Sequence, residues 1–216
     1  MHRPLPAILM LLNAWSLHAF VANAAKQHSA VCQTSLAMST SPLPLIAKAE
    51  LAQASDIVEL TVRVFFGELG TDYGFNNNRA MAFFELSGEQ TQSIRSTLSS
   101  SESQCFCAVD GTTLVGFVML SDEGKLTNLA VDPSCRRSGL GRALVERVLA
   151  ADISNSPRPL VTLEVDADND AALALYERCG FVRTGEELGT RYVVDWWRGR
   201  IVEKINKVSM QHEPVE

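Results

Sequence analysis

Three groups of residues have types and spacings suited to chemistry. The first is Arg136-Arg137-Ser138-Gly139-Leu140-Gly141-Arg142, inside VDPSCRRSGLGRALVERVL. Three arginines and two glycines at a helix start suit an anion, because free N–H groups and the positive end of the dipole converge there. Gly139 and Gly141 carry no Cβ that would block close approach. The second group is Glu164 in PLVTLEVDA, where Val161, Leu163 and Val165 alternate with Thr162, Glu164 and Asp166. That alternation sends Glu164 off the apolar face, as a candidate base or as an exposed strand glutamate. The third is Tyr176 in DAALALYERC, on one helix face with Ala172, Leu175 and Cys179. By position alone it is a titratable phenol or a core tyrosine. The known phosphate loops do not fit: no GxxxxGK[ST] run is present, and Leu144 stands where a dinucleotide fingerprint needs its third glycine.

The elements that position these groups follow from periodicity. The sequence from Leu43 onward reads as one α/β domain over 43–208, followed by a frayed tail over 209–216. LPLIAKAEL suits a first strand. Ser55 or Asp56 is placed to cap a helix through IVELTVRVFFGEL. GTDYGFNNN reads as loop, and a second helix spans Arg79 to Leu98 with a possible break at Ser87-Gly88. Asp110-Gly111 marks a hairpin, and a turn at SDEGK leads to a third strand of the meander, LTNLAVDP. The helix LGRALVERVLAAD then buries Leu140, Leu144, Val145, Val148 and Leu149. Asn169 caps the short helix that carries Tyr176, and Gly180 ends it. FVRTG and RYVVDWWRGRIVEKI supply the final strands.

Bulk composition narrows the function. The 216 residues are 46% hydrophobic with a formal charge of −6, which suits a globular domain and disfavours non-specific nucleic-acid binding. Cys105, Cys107, Cys135 and Cys179 show no CxxC spacing and no paired histidines, so reduced thiols and no metal are expected.

Two segments together, NLAVDPSCRRSGLGRALVERVL and LEVDADNDAALALYERCGF, resemble the GCN5-related N-acetyltransferases (GNAT). The likeness is to the branch that acetylates protein N-termini, such as the bacterial ribosomal-protein alanine acetyltransferases. It is close over Gly124 to Phe181 and weaker over Ala47 to Leu120. The resemblance implies a mixed, mostly antiparallel central sheet flanked by helices, bulged and splayed at an acetyl-CoA site. It identifies the anion as the pyrophosphate of acetyl-CoA, held by Arg136, Arg137, Ser138, Gly139, Leu140, Gly141 and Arg142. It places backbone contacts to the pantetheine and thioester at Leu129, Ala130 and Val131, with Asn169 also touching the co-substrate. It implies Glu164 as base, directly or through water, and Tyr176 as the acid that protonates the CoA sulfur. The spacing of Glu164 and Tyr176, twelve residues, equals that of the branch. Thr127 and Asn128 stand where other branches place a base, and neither titrates usefully.

The implied reaction transfers acetyl to a protein N-terminal α-amine, a lysine ε-amine, or both. A small-molecule amine acetyltransferase and a non-catalytic acyl-CoA-binding module are the alternatives. Asp72, Tyr73, Tyr192, Trp196 and Trp197 are candidates for the acceptor side. DWWRGRIVEKINK looks more like plastid dual lysine and N-terminal acetyltransferases.

The first 42 residues are of another kind. No Asp or Glu precedes Glu50, and a basic start leads into an apolar run from Leu5 to Val21. Pro6, Asn13 and His18 interrupt the run, which reads as a signal peptide rather than a membrane span. KQHSAVCQTSLAMSTSPLPL then has transit-peptide composition. The pair resembles a bipartite plastid presequence, with mitochondrial or secretory targeting as the alternatives. No membrane partner is expected for the mature chain, and the oligomeric state is left open.

Overall fold

The computed structural model describes residues 43–67, 77–153, 160–195 and 197–213. Strand β1 (Leu45–Lys48) leads through a 3₁₀ turn (Leu51–Gln53) into helix α1 (Ala54–Phe66), and α2 is Asn77–Ser99. The meander follows as β2 (Gln104–Asp110), β3 (Thr113–Leu120) and β4 (Lys125–Val131). After a 3₁₀ turn (Pro133–Cys135) come α3 (Leu140–Ile153), β5 (Thr162–Asp166), α4 (Asp170–Arg178), β6 (Phe181–Asp195) and β7 (Gly199–His212). The strands form one sheet in the order β1-β2-β3-β4-β5-β7-β6. Every pairing is antiparallel except β4 with β5. This is the mixed, mostly antiparallel architecture expected.

Each face of the sheet has its own core. One packs Phe106, Val118, Leu126, Leu163 and Val165 against Leu140, Leu144 and Val148 of α3 and Leu173 and Tyr176 of α4. The other packs Cys105, Cys107, Phe117, Met119 and Ala130 against Ile57 and Leu60 of α1 and Ile94 of α2. The strand alternation of two produces this division, since neighbouring side chains leave opposite faces. Cys105 and Cys107 share a face as their spacing required. The Cys107 thiol is pushed up first by its hydrogen bond with Cys105 and then by burial.

Three boundaries differ from the sequence reading. The first helix is not capped by Ser55 or Asp56. Its entry turn carries a reciprocal capping box between Glu50 and Gln53, so Ser55 falls inside the helix. Helix α2 runs unbroken through Ser87-Gly88. Ala82, Phe83, Leu86 and Ile94 are buried along it, Ile94 in the core shared with α1, and that burial outweighs the ~1 kcal/mol that an interior glycine costs. The frayed tail is corrected most clearly: β7 continues to His212, pairing Met210 with Leu163 of β5, and Met210 is 1% exposed. Ser209 and Gln211 read as polar because they occupy alternate positions of a strand, not because the chain leaves the domain.

Candidate active site

The site begins where β4 and β5 part. Their parallel ladder consists of Lys125↔Thr162 and Leu126↔Leu163 and then ends. Just beyond it, Met119 pairs with Asn128 while Leu120 pairs with Leu126, so Thr127 is the extra residue of a bulge. From Asn128 to Val131 the strand pairs only with β3. Asp132 donates its N–H to the Val115 carbonyl at 2.8 Å, which makes Val131 and Gly116 a non-hydrogen-bonded pair. By the alternation of an antiparallel ladder, Leu129 and Val131 then turn their N–H and C=O groups into the gap. Ala130, expected beside them, has both backbone groups directed at β3 and its side chain in the α1–α2 core.

At the open end of the gap lies the arginine-glycine loop. Buried Asp132 caps the 3₁₀ turn through the Ser134 N–H at 2.9 Å and pairs with Arg63 of α1 at 2.7 Å. The Arg136 Nε donates to the Val131 carbonyl at 3.3 Å, and the Ser138 hydroxyl donates to the Cys135 carbonyl at 2.7 Å. Arg137 has φ 64° and Gly139 has φ 91°, both in the left-handed region. The first α-helical hydrogen bond runs from the Ala143 N–H to the Gly139 carbonyl. The N–H groups of Gly141 and Arg142 precede it and have no intrahelical acceptor. A Cβ on Gly141 would stand 3.3 Å from Leu175 of α4, so glycine there permits the helices to approach. The Arg142 guanidinium is turned to Glu146 at 2.6 Å, leaving its backbone to face the loop.

Tyr176 and Glu164 lie on opposite faces of the sheet. Tyr176 is 7% exposed in the α3–α4 core, with its ring edge-on to Phe181 at 5.7 Å. Burial pushes its phenol up to about 12, with nearby Cys179 adding to the shift. Burial likewise raises the Cys179 thiol. Asn169 caps α4 as expected, accepting from the Ala172 N–H at 3.1 Å. Glu164 leaves β5 on the α1–α2 face and holds the Lys125 ammonium at 2.6 Å. The gap between β4 and β5 is where a bound molecule can reach from one face to the other.

A cavity of about 510 Å³ opens on the α1–α2 face beside the gap. Phe65 and Phe66 of α1, Asn128 of β4, Asp166 of β5 and the Arg191–Val194 stretch of β6 line it. Asp166 holds Lys207 at 2.7 Å, and Arg191 binds Asp168 at 2.7 Å and Glu203 at 3.1 Å. Of the acceptor-side candidates, Tyr192 lines this cavity. Trp197 is 75% exposed and does not, and Asp72, Tyr73 and Trp196 lie outside the described residues. Glu164 is not part of the lining, whereas Asp166, two residues on, is. The strand alternation already placed Asp166 on that polar face. Nothing local in the sequence placed Phe65, Phe66 or Arg191 there. Among the described residues no cluster of His, Cys, Asp and Glu has the makings of a metal site, and no helix is long and apolar enough to cross a membrane.

Comparison with known proteins decides the family. Residues 75–195, more than half of the chain, match the acetyltransferase (GNAT) domain. The chain belongs to the GNAT acetyltransferase family. Within the family it is 48% identical over 60 residues to the "[Ribosomal protein bS18]-alanine N-acetyltransferase" of Escherichia coli (strain K12), covering 28% of this chain and 40% of that protein. It is 40% identical over 85 residues to the "N-alpha-acetyltransferase RimI" of Mycobacterium tuberculosis, covering 36% of this chain and 51% of that one. The chain thus spans 40% to 51% of the length of these relatives. The solved structure of the ribosomal-protein-S18-alanine N-acetyltransferase from Escherichia coli superposes with a TM-score of 0.52 at 22% identity, covering 79% of this chain and 93% of that one. A GNAT acetyltransferase from Streptococcus pneumoniae gives 0.56 at 20% identity, over 77% and 97%. These two structures share the GNAT fold.

Proposed function

We propose that this GNAT chain is an acetyl-CoA-dependent N-acetyltransferase acting on a protein amine, either an N-terminal α-amine or a lysine ε-amine. The observation that carries the reading is the gap itself. It joins a loop that suits an anion to a polar-apolar cavity on the other face, and its wall presents the Leu129 backbone and the Val131 N–H, the Val131 carbonyl being taken by Arg136. The loop suits a pyrophosphate: Arg137 and Gly139 take the left-handed backbone angles common in anion-cradling loops, and Gly141 and Arg142 add two N–H groups from the helix start. Arg136 and Arg137 add charge.

Each residue then has a defined task. The Leu129 or Val131 N–H stabilises the oxyanion as the thioester carbonyl is attacked. Glu164 takes the proton that the attacking amine must lose. Tyr176 supplies a proton to the departing sulfur, following thiolate formation because its own phenol is weakly acidic. The 510 Å³ cavity receives the acceptor's first residues. An α-amine, with pKa near ~8, demands less of the base than a lysine near ~10.4, which favours N-termini. The acid-free, Ser- and Ala-rich first 42 residues support delivery to a plastid, tested by where a fluorescent fusion of that segment accumulates.

The test is incubation with acetyl-CoA and peptides bearing a free N-terminus and one internal lysine, read by tandem mass spectrometry. Acetyl on the α-amine or the lysine, lost in Glu164→Gln, is expected. Turnover of spermidine with no peptide product would overturn the protein-acceptor reading. Co-substrate binding with no product would overturn catalysis.

A further inference from the structure

We infer that Lys125 is a site of self-acetylation, modified by the chain's own active site when no acceptor is bound. This rests on the reading of Glu164 as the base. An acceptor amine must come within hydrogen-bond reach of that base to lose its proton. In this structure an amine is already there: the Lys125 Nζ lies 2.6 Å from the Glu164 Oε1. The lysine comes from β4, the strand whose bulge and unpaired backbone form the wall of the gap, and it is held at the closed end of that gap by the Lys125↔Thr162 rung.

The pair is easily broken. The two side chains are 41% and 37% exposed, so solvent screens the attraction and little free energy holds the amine in place. Lys207, held by the cavity residue Asp166, differs on both counts. It is 24% exposed and its partner Asp166 also faces Arg191, so it is held in a network rather than by one contact. Lys48 and Lys204 are exposed and have no place at the site.

The step balances with the proposed co-substrate alone. Lys125 gives a proton to Glu164, and its neutral nitrogen attacks the thioester carbonyl carbon. The N–C bond forms, the C–S bond breaks, and CoA leaves as the thiol with a proton from Tyr176; the second proton of the nitrogen passes through solvent to restore the phenol, and Glu164 gives the first to solvent. The product amide has no charge, so the ion pair is lost and Glu164 is left to serve an incoming acceptor.

The experiment incubates the full chain with acetyl-CoA, with and without an acceptor peptide, and follows each lysine by peptide mapping over time. Lys125 is expected to gain acetyl at least ~10-fold faster than Lys48 and Lys204, as an intramolecular step allows. The fraction modified per minute should not change on dilution of the protein at saturating acetyl-CoA. Added peptide should slow it, and Glu164→Gln should abolish it while acetyl-CoA still raises the variant's Tm. Peptide acetylated with Lys125 untouched would overturn this inference and leave the proposed function standing. Equal modification of all three lysines, or persistence in Glu164→Gln, would mark chemical acetylation and overturn it. Loss of both products would overturn the parent reading as well.

Discussion

Tyr176 concentrates the residue-scale argument, because burial and chemistry make opposite demands on it. A phenol raised to about 12 stays protonated throughout the working range, so it is in the donor form whenever the sulfur departs. Tyr176→Phe is therefore expected to lower kcat roughly 10²-fold with little change in KM for acetyl-CoA, measured by steady-state thiol release. The same shift has a stability signature. The folded-state value is raised above the ordinary one near ~10, so the contribution is complete below pH 10. It is lost as pH rises through 12, because the unfolded chain releases this proton first. Denaturant titrations from pH 9 to 12 should show a loss of up to about 3 kcal/mol that Tyr176→Phe does not show. The placement of Tyr176 on a buried helix face, of Glu164 off the apolar face of its strand and of the arginine-glycine loop at a helix start was legible from spacing, while their roles came from the resemblance. That Tyr176 and Glu164 occupy opposite faces was not, because it depends on a strand and a helix packing through different cores.

At the scale of elements, the link between α1 and the end of β4 stands out. Arg63 and Asp132 form a pair 2.7 Å long with side chains only 14% and 8% exposed. Asp132→Ala breaks an ion pair whose two members are both buried, so it should cost about 3–5 kcal/mol by chemical denaturation. It should also weaken acetyl-CoA binding by calorimetry, because Asp132 caps the turn that begins the anion loop. Within the loop, Gly139→Ala asks a Cβ-bearing residue to hold φ 91°. The expected penalty is about 1–2 kcal/mol, measurable as a fall in Tm with no side-chain clash to account for it. The hairpin, the helix start and the Asn169 cap were readable because each depends on two or three adjacent residues. The entry to α1 and the unbroken α2 were misread where tertiary packing and a less obvious Glu50–Gln53 box prevailed over the nearest Ser, Asp or Gly.

Over the whole molecule, the polar look of the last residues hid a central structural role. His212 donates its backbone N–H to the Val161 carbonyl, and its ring meets Phe181 edge-on at 5.3 Å. Ending the chain after Val208 would remove Met210 from the core and the β7 rungs opposite Thr162, Leu163 and Glu164. No folded, soluble protein is expected from such a truncation, as judged by gel filtration and circular dichroism. Acetyl-CoA at about 100 times its Kd should in turn stabilise the intact chain by roughly 2.7 kcal/mol, visible as a rise in Tm. Fold class and strand content were readable from alternation, whereas the order that puts β7 between β5 and β6 is a long-range choice with no local signal. The two rungs that join β4 to β5 have one more consequence. Beyond them, the wall at Leu129 and Val131 is a sheet edge that faces inward. Edges with unpaired N–H and C=O groups attract any extended chain, which is why proteins commonly shield them. Here the proposed ligand, with amides along its arm, is the shield. Ligand occupancy and resistance to aggregation are thus one property, and the chain should be hardest to keep in solution when stripped of CoA.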